Sequence, residues 1–563
     1  MRGMAGLFAS LAVAFCATAL HARERVEPVT VGIIAFNDFH GNLEPLPAAA
    51  SGPASGGIVA LATAVEALRE IYRYHATVSA GDLIGASPLV SALFLDEPTI
   101  TMMNLLDLDY NAVGNHEFDR GRAELLRMQR GGCDWHTARE PCQVGSFSGA
   151  GFAFLAASTF TEDATTLFPA SAIKSFGKGR RKVRIGFVGL TLRDTPNLVS
   201  GEGVAGLRFG DEAEAINAAT AQLKAKGADA VVVLIHQGGD PLSDLDPNGC
   251  DGLGGAILPI LGKLDRRVDV VVSGHTHRAY VCDPGEAGEA YPFLLTSAGS
   301  HGRFLTDIAL TIDPATDRVI ARTARNLVVQ APVAAAGVSG PASEEQPVIA
   351  HFLQEYVTAA SELALRPVGR LSAPAARPQG PNRSQGGPLG NLIADAQLGA
   401  TLGAGAQIAF TNPFGIRAPL DPAPGGAVTF GQLSGVQPFL NTLVTYTLSG
   451  AGLKDVLEQG LDTDGPEQLL APSAGFAYGF DRSRAPGDRI LRMTLMGEPI
   501  EPWRDYRITT NSFLAGGKDG FTALLKGRDA VIGGSDLDAL ESWIGAVDIR
   551  QLPMEERVTP EGS

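Results

Sequence analysis

Six consecutive residues, Gly114-Asn115-His116-Glu117-Phe118-Asp119, follow the apolar run Tyr110-Asn111-Ala112-Val113. They put an amide oxygen, an imidazole and two carboxylates within one turn of chain, groups that hold divalent cations and move protons. The same residues suit a capped helix start, since Asn and Asp are good N-caps. Taken alone, the corner leaves both readings open. Other polar residues share its setting, however. Asp38 and His40 follow the apolar run Val29–Phe36, Asp82 follows Ala76–Ser79, His236 closes Ala230–Ile235, and His275 and His277 close Val268–Val272. Residues two apart can face the same side of an extended segment, so each of those pairs can act together. Asp38, His40, Asp82, Asn115, His236, His275 and His277 together can hold two divalent cations, with Asp82 as the natural bridge. Imidazole and carboxylate without thiolate suit zinc, manganese, cobalt or iron. Such ions about 3.5–4 Å apart would hold a bridging hydroxide for in-line attack on phosphorus. His75, His136, His301 and His351 lie outside the strand-end pattern and are expected at the surface or in satisfied core positions. Glu117 is expected to cap a helix or to pair with an arginine.

These side chains can meet only if the strands that precede them lie side by side. From Val29 to about Ala324 apolar runs alternate with helical stretches such as Gly57 to Tyr74, where Ile58, Leu61, Val65, Leu68 and Ile71 fall at helix-face spacing. In an open α/β sheet, ligands gather at the carboxyl ends of the strands. Residues 331–345 are rich in Ala, Gly, Pro and Ser and read as a linker, with a helix from Pro347 to Leu365. A second domain follows, with strands expected at Val368–Leu371, Gln407–Phe410, Leu443–Leu448 and Tyr506–Thr510. Helices are expected at Leu389–Thr401 and around Leu453–Leu457.

The ordered set Asp38-Phe39-His40, Gly81-Asp82, Gly114-Asn115-His116-Glu117, His236 and Gly274-His275-Thr276-His277 resembles the calcineurin-like metallophosphoesterases. The longer form ending in Asp119 resembles their 5′-nucleotidase branch, which includes bacterial UDP-sugar hydrolases. The resemblance implies one ion on Asp38, His40, Asp82 and His277, and another on Asp82, Asn115, His236 and His275. It also implies His116, oriented by Asp119, as the group that stabilises the transferred phosphoryl or assists the leaving oxygen. The implied fold is a four-layer αββα sandwich at residues 28–330, a linker and connecting helix at 331–366, and an α+β substrate domain at 367–551. In that second domain the resemblance implies a base sandwiched by Phe439 and Phe513, ribose hydroxyls on Asp519, and base and phosphate contacts from Asn412, Gly415 and Arg417. Arg383 is a further candidate for the phosphate. Phe414 stands where the family has glycine, and Lys518 shifts the glycines that precede Asp519.

The expected activity is release of phosphate from nucleoside 5′-monophosphates. UDP-sugar hydrolysis and 2′,3′-cyclic-nucleotide hydrolysis are alternatives on the same machinery, and a non-catalytic nucleotide-binding protein is the alternative of a different class. Composition narrows the partners. Sixty-one acidic against 45 basic side chains give a formal charge of −16, which provides no basic face for a nucleic acid polymer. Residues 1–22 read as a signal peptide, with Arg2 before an apolar run, so the chain is expected in the periplasm or outside the cell without a stable membrane anchor. Its removal leaves Cys133, Cys142, Cys250 and Cys282, and we expect disulfides paired sequentially.

Overall fold

The computed structural model describes residues 27–561 except 47–54, 138, 200–202, 244–245, 284–290, 332–345, 378–384, 440 and 462–466. The signal segment, much of the linker and Arg383 therefore lie outside the described residues.

The first unit contains two six-stranded sheets. One uses β1 (Val29–Phe36), β2 (His75–Ser79), β3 (Tyr110–Ala112) and β4 (Ala153–Leu155). A hairpin of β5 (Thr159–Phe160) and β8 (Arg208–Phe209) lies apart from both sheets. The second sheet uses β6 (Ser171–Phe176), β7 (Val183–Leu190), β9 (Ala230–Ile235), β10 (Val270–Ser273), β11 (Ala279–Cys282) and β12 (Leu294–Ala298). Then β13 (Phe304–Asp313) and β14 (Arg318–Val328) return to the first. The strand orders are β14-β13-β1-β2-β3-β4 and β11-β12-β10-β9-β7-β6.

Period-two alternation builds the layers. In β1, Val29, Val31, Ile33 and Ala35 meet the other sheet, whereas Ile34 and Phe36 face helices that include Ile58–Ile71. In β9, Ala230, Val232 and Leu234 point to the inner layer, and Val231, Val233 and Ile235 pack with helix Glu212–Ala225. Strands buried on both faces read as unbroken apolar runs, and each such side chain contributes roughly 1.5–3 kcal/mol on burial. The result is the expected helix–sheet–sheet–helix sandwich. The neighbours β1–β2–β3 and β7–β9–β10–β12 are parallel, so the loops bearing the polar residues leave one edge of it.

Helix Pro347–Ala364 follows the linker and packs on helices Leu89–Ala92 and Phe430–Val436, one from each unit. Its Tyr356 meets Phe94 edge-on at 4.9 Å between centroids. In the second unit β15 (Pro367–Arg370) pairs with β17 (Ala427–Thr429), and β16 (Ile408–Thr411), β18 (Thr442–Ser449) and β19 (Ala471–Pro472) contribute to a five-stranded sheet. A second sheet holds β20 (Phe476–Phe480), β21 (Ile490–Leu495), β22 (Glu498–Pro499) and β25 (Val558–Pro560), while β23 (Asp505–Asn511) and β24 (Arg528–Ser535) complete the first. The chain therefore continues past the expected end at 551, because Val558–Pro560 adds in parallel to β20. Beyond Thr510, β24 runs into helix Asp536–Gly545, whose start is capped by Ser535 accepting from Asp538 N–H. Both expected disulfides form, Cys133–Cys142 and Cys250–Cys282. No helix among the described residues is long and apolar enough to cross a membrane.

Candidate metal centre and substrate face

The strand ends converge. One oxygen of Asp38 and one nitrogen each of His40 and His277 lie within 4.8 Å of one another, and Asp82, His236 and His275 form a second such group. Backbone bonds lace the corners together: Asp38 N–H donates to Gly81 O at 3.0 Å and His40 N–H to Asp82 O at 2.9 Å. Asp38, His40, Asp82, His275 and His277 all hold positive φ, between 48° and 73°. That region is sparsely used by side-chain-bearing residues and concentrates at functional sites. Close approach also demands glycine, since a Cβ at Gly81 would sit 2.6 Å from His236 Nδ1.

Second partners aim the donors. His40 Nδ1 faces Gly85 O and His236 Nδ1 faces Ala80 O, each at 2.9 Å, which leaves both Nε2 atoms turned inward. Asn37 Nδ2 donates to Asp38 Oδ2 and to Gly299 O, both at 2.7 Å. Asn115 Oδ1 lies 3.1 Å from His275 Nδ1, beside the second group. Two observations test whether cations suit this pocket. His40 Nε2 and His277 Nε2 oppose each other at 3.1 Å, and buried His236 Nε2 lies 2.9 Å from Asp82 Oδ2 without a properly directed hydrogen bond. Inward-facing imidazole nitrogens around two buried carboxylates fit divalent cations.

The electrostatics agree with a site built for positive charge. Burial disfavours the Asp82 carboxylate, but His236 and His116 outweigh it and hold the group well below the usual range. Burial drives His40 down to about 3 and His275 down to about 4, keeping them neutral donors. Burial also opposes charge on His116, yet Asp119 and Asp82 prevail and raise it to about 10. His116 Nδ1 lies 2.8 Å from Asp119 Oδ2, so Nε2 is the nitrogen left for a substrate.

The helix-cap reading of this corner fails. A short 3-10 turn, His116–Phe118, starts without a side-chain cap, and the helix proper begins at Gly121. Asp119 instead holds His116 and accepts from Ala86 N–H at 3.2 Å. Among the described residues Glu117 neither caps a helix nor pairs with an arginine. It accepts N–H groups of Asp82 (3.0 Å), Leu83 (2.8 Å) and Gly114 (2.6 Å), and Nδ2 of Asn111 (3.1 Å). Burial and the Asp82 charge push its carboxyl up to about 7, while four donors with no acceptor among them favour the carboxylate. His301 is the other correction. Set aside by its position in the sequence, it packs against His40 and His277, with ring centroids 5.7 Å and 5.5 Å away. Expectation holds for exposed His351 and for His75, whose Nδ1 lies 3.2 Å from Tyr72 O.

In the second unit Asn412 Nδ2 donates to Asp519 Oδ2 at 3.0 Å and its Oδ1 accepts from Asn511 Nδ2 at 3.1 Å. The Arg417 guanidinium stands over the Phe439 ring at 5.6 Å. Phe439 and Phe513 are 47% and 41% exposed, unusual for large aromatic rings and suited to a stacking ligand. Gly415 lies in a tight turn where a Cβ would come 2.7 Å from Asn412 Oδ1. Between the units runs a cleft of about 930 Å³, lined by Asp119, Arg120 and Arg122 on one side and by Thr442, Gly533, Ser535 and Asp538 on the other. Phe439 and Phe513 are not among its lining residues.

A family model for calcineurin-like phosphoesterases matches residues 32–279, and one for the 5′-nucleotidase C-terminal domain matches 367–526. The chain is 29% identical over 534 residues to Endonuclease YhcR of Bacillus subtilis, covering 93% of this chain but only 40% of that protein. It is 26% identical over 552 residues to a probable 5′-nucleotidase of Treponema pallidum, covering 87% of each. The structure of a 5′-nucleotidase precursor from Thermus thermophilus aligns at a TM-score of 0.57 and 26% identity, over 94% of this chain and 99% of that one.

Proposed function

Because the chain belongs to the calcineurin-like phosphoesterases that carry a 5′-nucleotidase C-terminal domain, we propose that it releases phosphate from nucleoside 5′-monophosphates outside the cytoplasm. The observation that carries this reading is the pair of ligand groups, with Asp82 Oδ2 2.9 Å from His236 Nε2 in its own group and 3.8 Å from His40 Nε2 in the other, beside a histidine held by Asp119. In this proposal Asp38, His40, Asp82 and His277 hold one divalent ion, and Asp82, Asn115, His236 and His275 hold the other. Two such ions would neutralise phosphate charge and activate water as nucleophile. His116, with Nδ1 held by Asp119, keeps a proton on Nε2 for a phosphoryl oxygen or the departing ribose oxygen. Phe439 and Phe513 stack the base, which tolerates any base because each presents a π face. Arg417 directs a planar cation to phosphate, and Asp519 with Asn412 and Gly415 lines the ribose and base side. Because Phe439 and Phe513 do not line the cleft between the units, in this proposal the second unit must turn so that a base held there reaches Asp82. The two disulfides support export, since such bonds persist in oxidising compartments.

The test is hydrolysis by protein reconstituted with manganese, zinc or cobalt. The panel is AMP, UDP-glucose, 2′,3′-cyclic nucleotides, p-nitrophenyl phosphate and a single-stranded polynucleotide, the last because one relative is named an endonuclease. AMP is expected to be the best substrate; no hydrolysis of any compound would sink the enzyme reading. Asp82→Asn is expected to abolish all activity by weakening the bridge between the ions.

A further inference from the structure

We propose that His301 is a positioning residue for the ion held by Asp38, His40 and His277, acting as a ring wall that fixes His277. The inference rests on the two-ion reading above. Five observations carry it. His301 follows the end of β12, the strand beside β10, so it arrives at the same edge as the ligands. Its N–H donates to Asp38 O at 2.7 Å, which ties its backbone to the corner bearing a ligand. It shares the positive φ of the five ligand positions, at 61°. Its Nδ1 lies 3.1 Å from Ser300 Oγ, which fixes the ring plane. Finally, the ring meets His277 edge-on, at 75° and 5.5 Å, and leans on His40 at 5.7 Å.

His277 needs such a wall. His40 and His236 each have Nδ1 set by a backbone carbonyl, the usual way a ligating imidazole is aimed. Among the described residues His277 Nδ1 has no hydrogen-bond partner, and its side chain is 42% exposed, against 4% for His40 and none for His236. Packing replaces the missing bond. The edge-to-face contacts of His301 and His40, which also touch each other, form one continuous wall beside the His277 ring, whose Nε2 lies 3.4 Å from Asp38. His301 itself lies outside the group of mutually close donor atoms, so it supports the ligands from beside them.

The experiment measures divalent-metal binding by calorimetry on the full chain after chelation and dialysis, with manganese as the probe. Residual metal content is read separately. His301→Ala is expected to weaken one of the two sites about 10- to 100-fold, the usual cost of losing an outer support, and to leave the other unchanged. His301→Phe keeps the ring wall and is expected to stay near the wild type. Variants that both bind manganese as the wild type does would overturn the proposal. So would equal loss in both variants, which would assign the effect to a ring nitrogen, or weakening of both sites together. A wild-type chain that binds no divalent metal would instead overturn the two-ion reading, and this inference with it.

Discussion

Replacing Glu117 by glutamine tests how the two corners of the metal centre are joined. Oε1 accepts from Leu83 N–H and Asn111 Nδ2, and Oε2 from Asp82 N–H and Gly114 N–H. Each oxygen thus has two donors, and the three backbone N–H groups cannot accept in return; only the Asn111 amide, whose Oδ1 has no partner among the described residues, can turn to do so. Glutamine keeps one oxygen and makes the other an amide nitrogen. Whichever way it turns, at least one bond from a backbone N–H disappears and N–H faces N–H. At about 1.5–3 kcal/mol for each hydrogen bond to a charged group, the loss is at least about 1.5–3 kcal/mol. Relief comes from moving the Asp82–Leu83 segment away from Gly114, which draws Asp82 out of line with Asn115. A preference of about 1.4 kcal/mol for the displaced arrangement leaves about one molecule in ten competent, so kcat/KM is expected to drop by at least about tenfold. Both p-nitrophenyl phosphate and AMP should show it, because the damage precedes substrate choice. The assay pairs steady-state kinetics with metal content after gel filtration. A Glu117→Gln protein that retains both ions and stays within about threefold of wild-type kcat/KM would refute the reasoning.

Other outcomes follow from single features. Phe513→Ala should lower kcat/KM for AMP roughly 5- to 150-fold, the equivalent of about 1–3 kcal/mol of stacking, and spare p-nitrophenyl phosphate; equal losses would refute the base sandwich. Asp536 is buried at the start of helix Asp536–Gly545, with Asn441 Nδ2 at 3.3 Å and Asp538 nearby, and burial raises its carboxyl from 3.8 to about 7. Between those values the folded chain holds a proton that the unfolded chain has lost, so stability from this group is full at low pH and falls as pH rises toward 7. The ceiling is about 4 kcal/mol, and Asp536→Asn should remove that slope from the pH dependence of thermal unfolding; parallel curves would refute it. Chelation should abolish hydrolysis of every ester while leaving far-ultraviolet circular dichroism unchanged, and loss of secondary structure would show that the ions organise the fold.

The elements bearing the ligands were legible because parallel strands buried on both faces leave apolar runs that end abruptly in polar residues. Val29–Phe36 and Ala230–Ile235 match their expected bounds for that reason. β12 was not legible, since Thr296 and Ser297 break its apolar run although both are fully buried. With that strand unread, His301 had no place in the pattern. Glu117 was misread for a different cause. Its partners are mostly backbone N–H groups, which every residue except proline possesses, and no spacing in a sequence marks them. In the second unit, Gly533-Gly534-Ser535 carries a loop signal, yet all three residues belong to β24 and Ser535 also caps the following helix.

Nor does sequence reveal how the donors are aimed. Asp38 and His40 adopt positive φ with Phe39 between them, and His275 and His277 do so around Thr276. Each such residue costs on the order of 1–3 kcal/mol and persists only where its surroundings over-determine it. Here the surroundings are bonds to other corners: Asp38 N–H to Gly81, His40 N–H to Asp82, His275 N–H to the Asp38 carboxylate and His301 N–H to Asp38 O. These bonds join protein groups to one another, so the chain itself contributes to the direction of the ligands. Strain at Asp38, His40, Asp82, His275 and His277, offset by bonds among the same corners, is what a preorganised site requires.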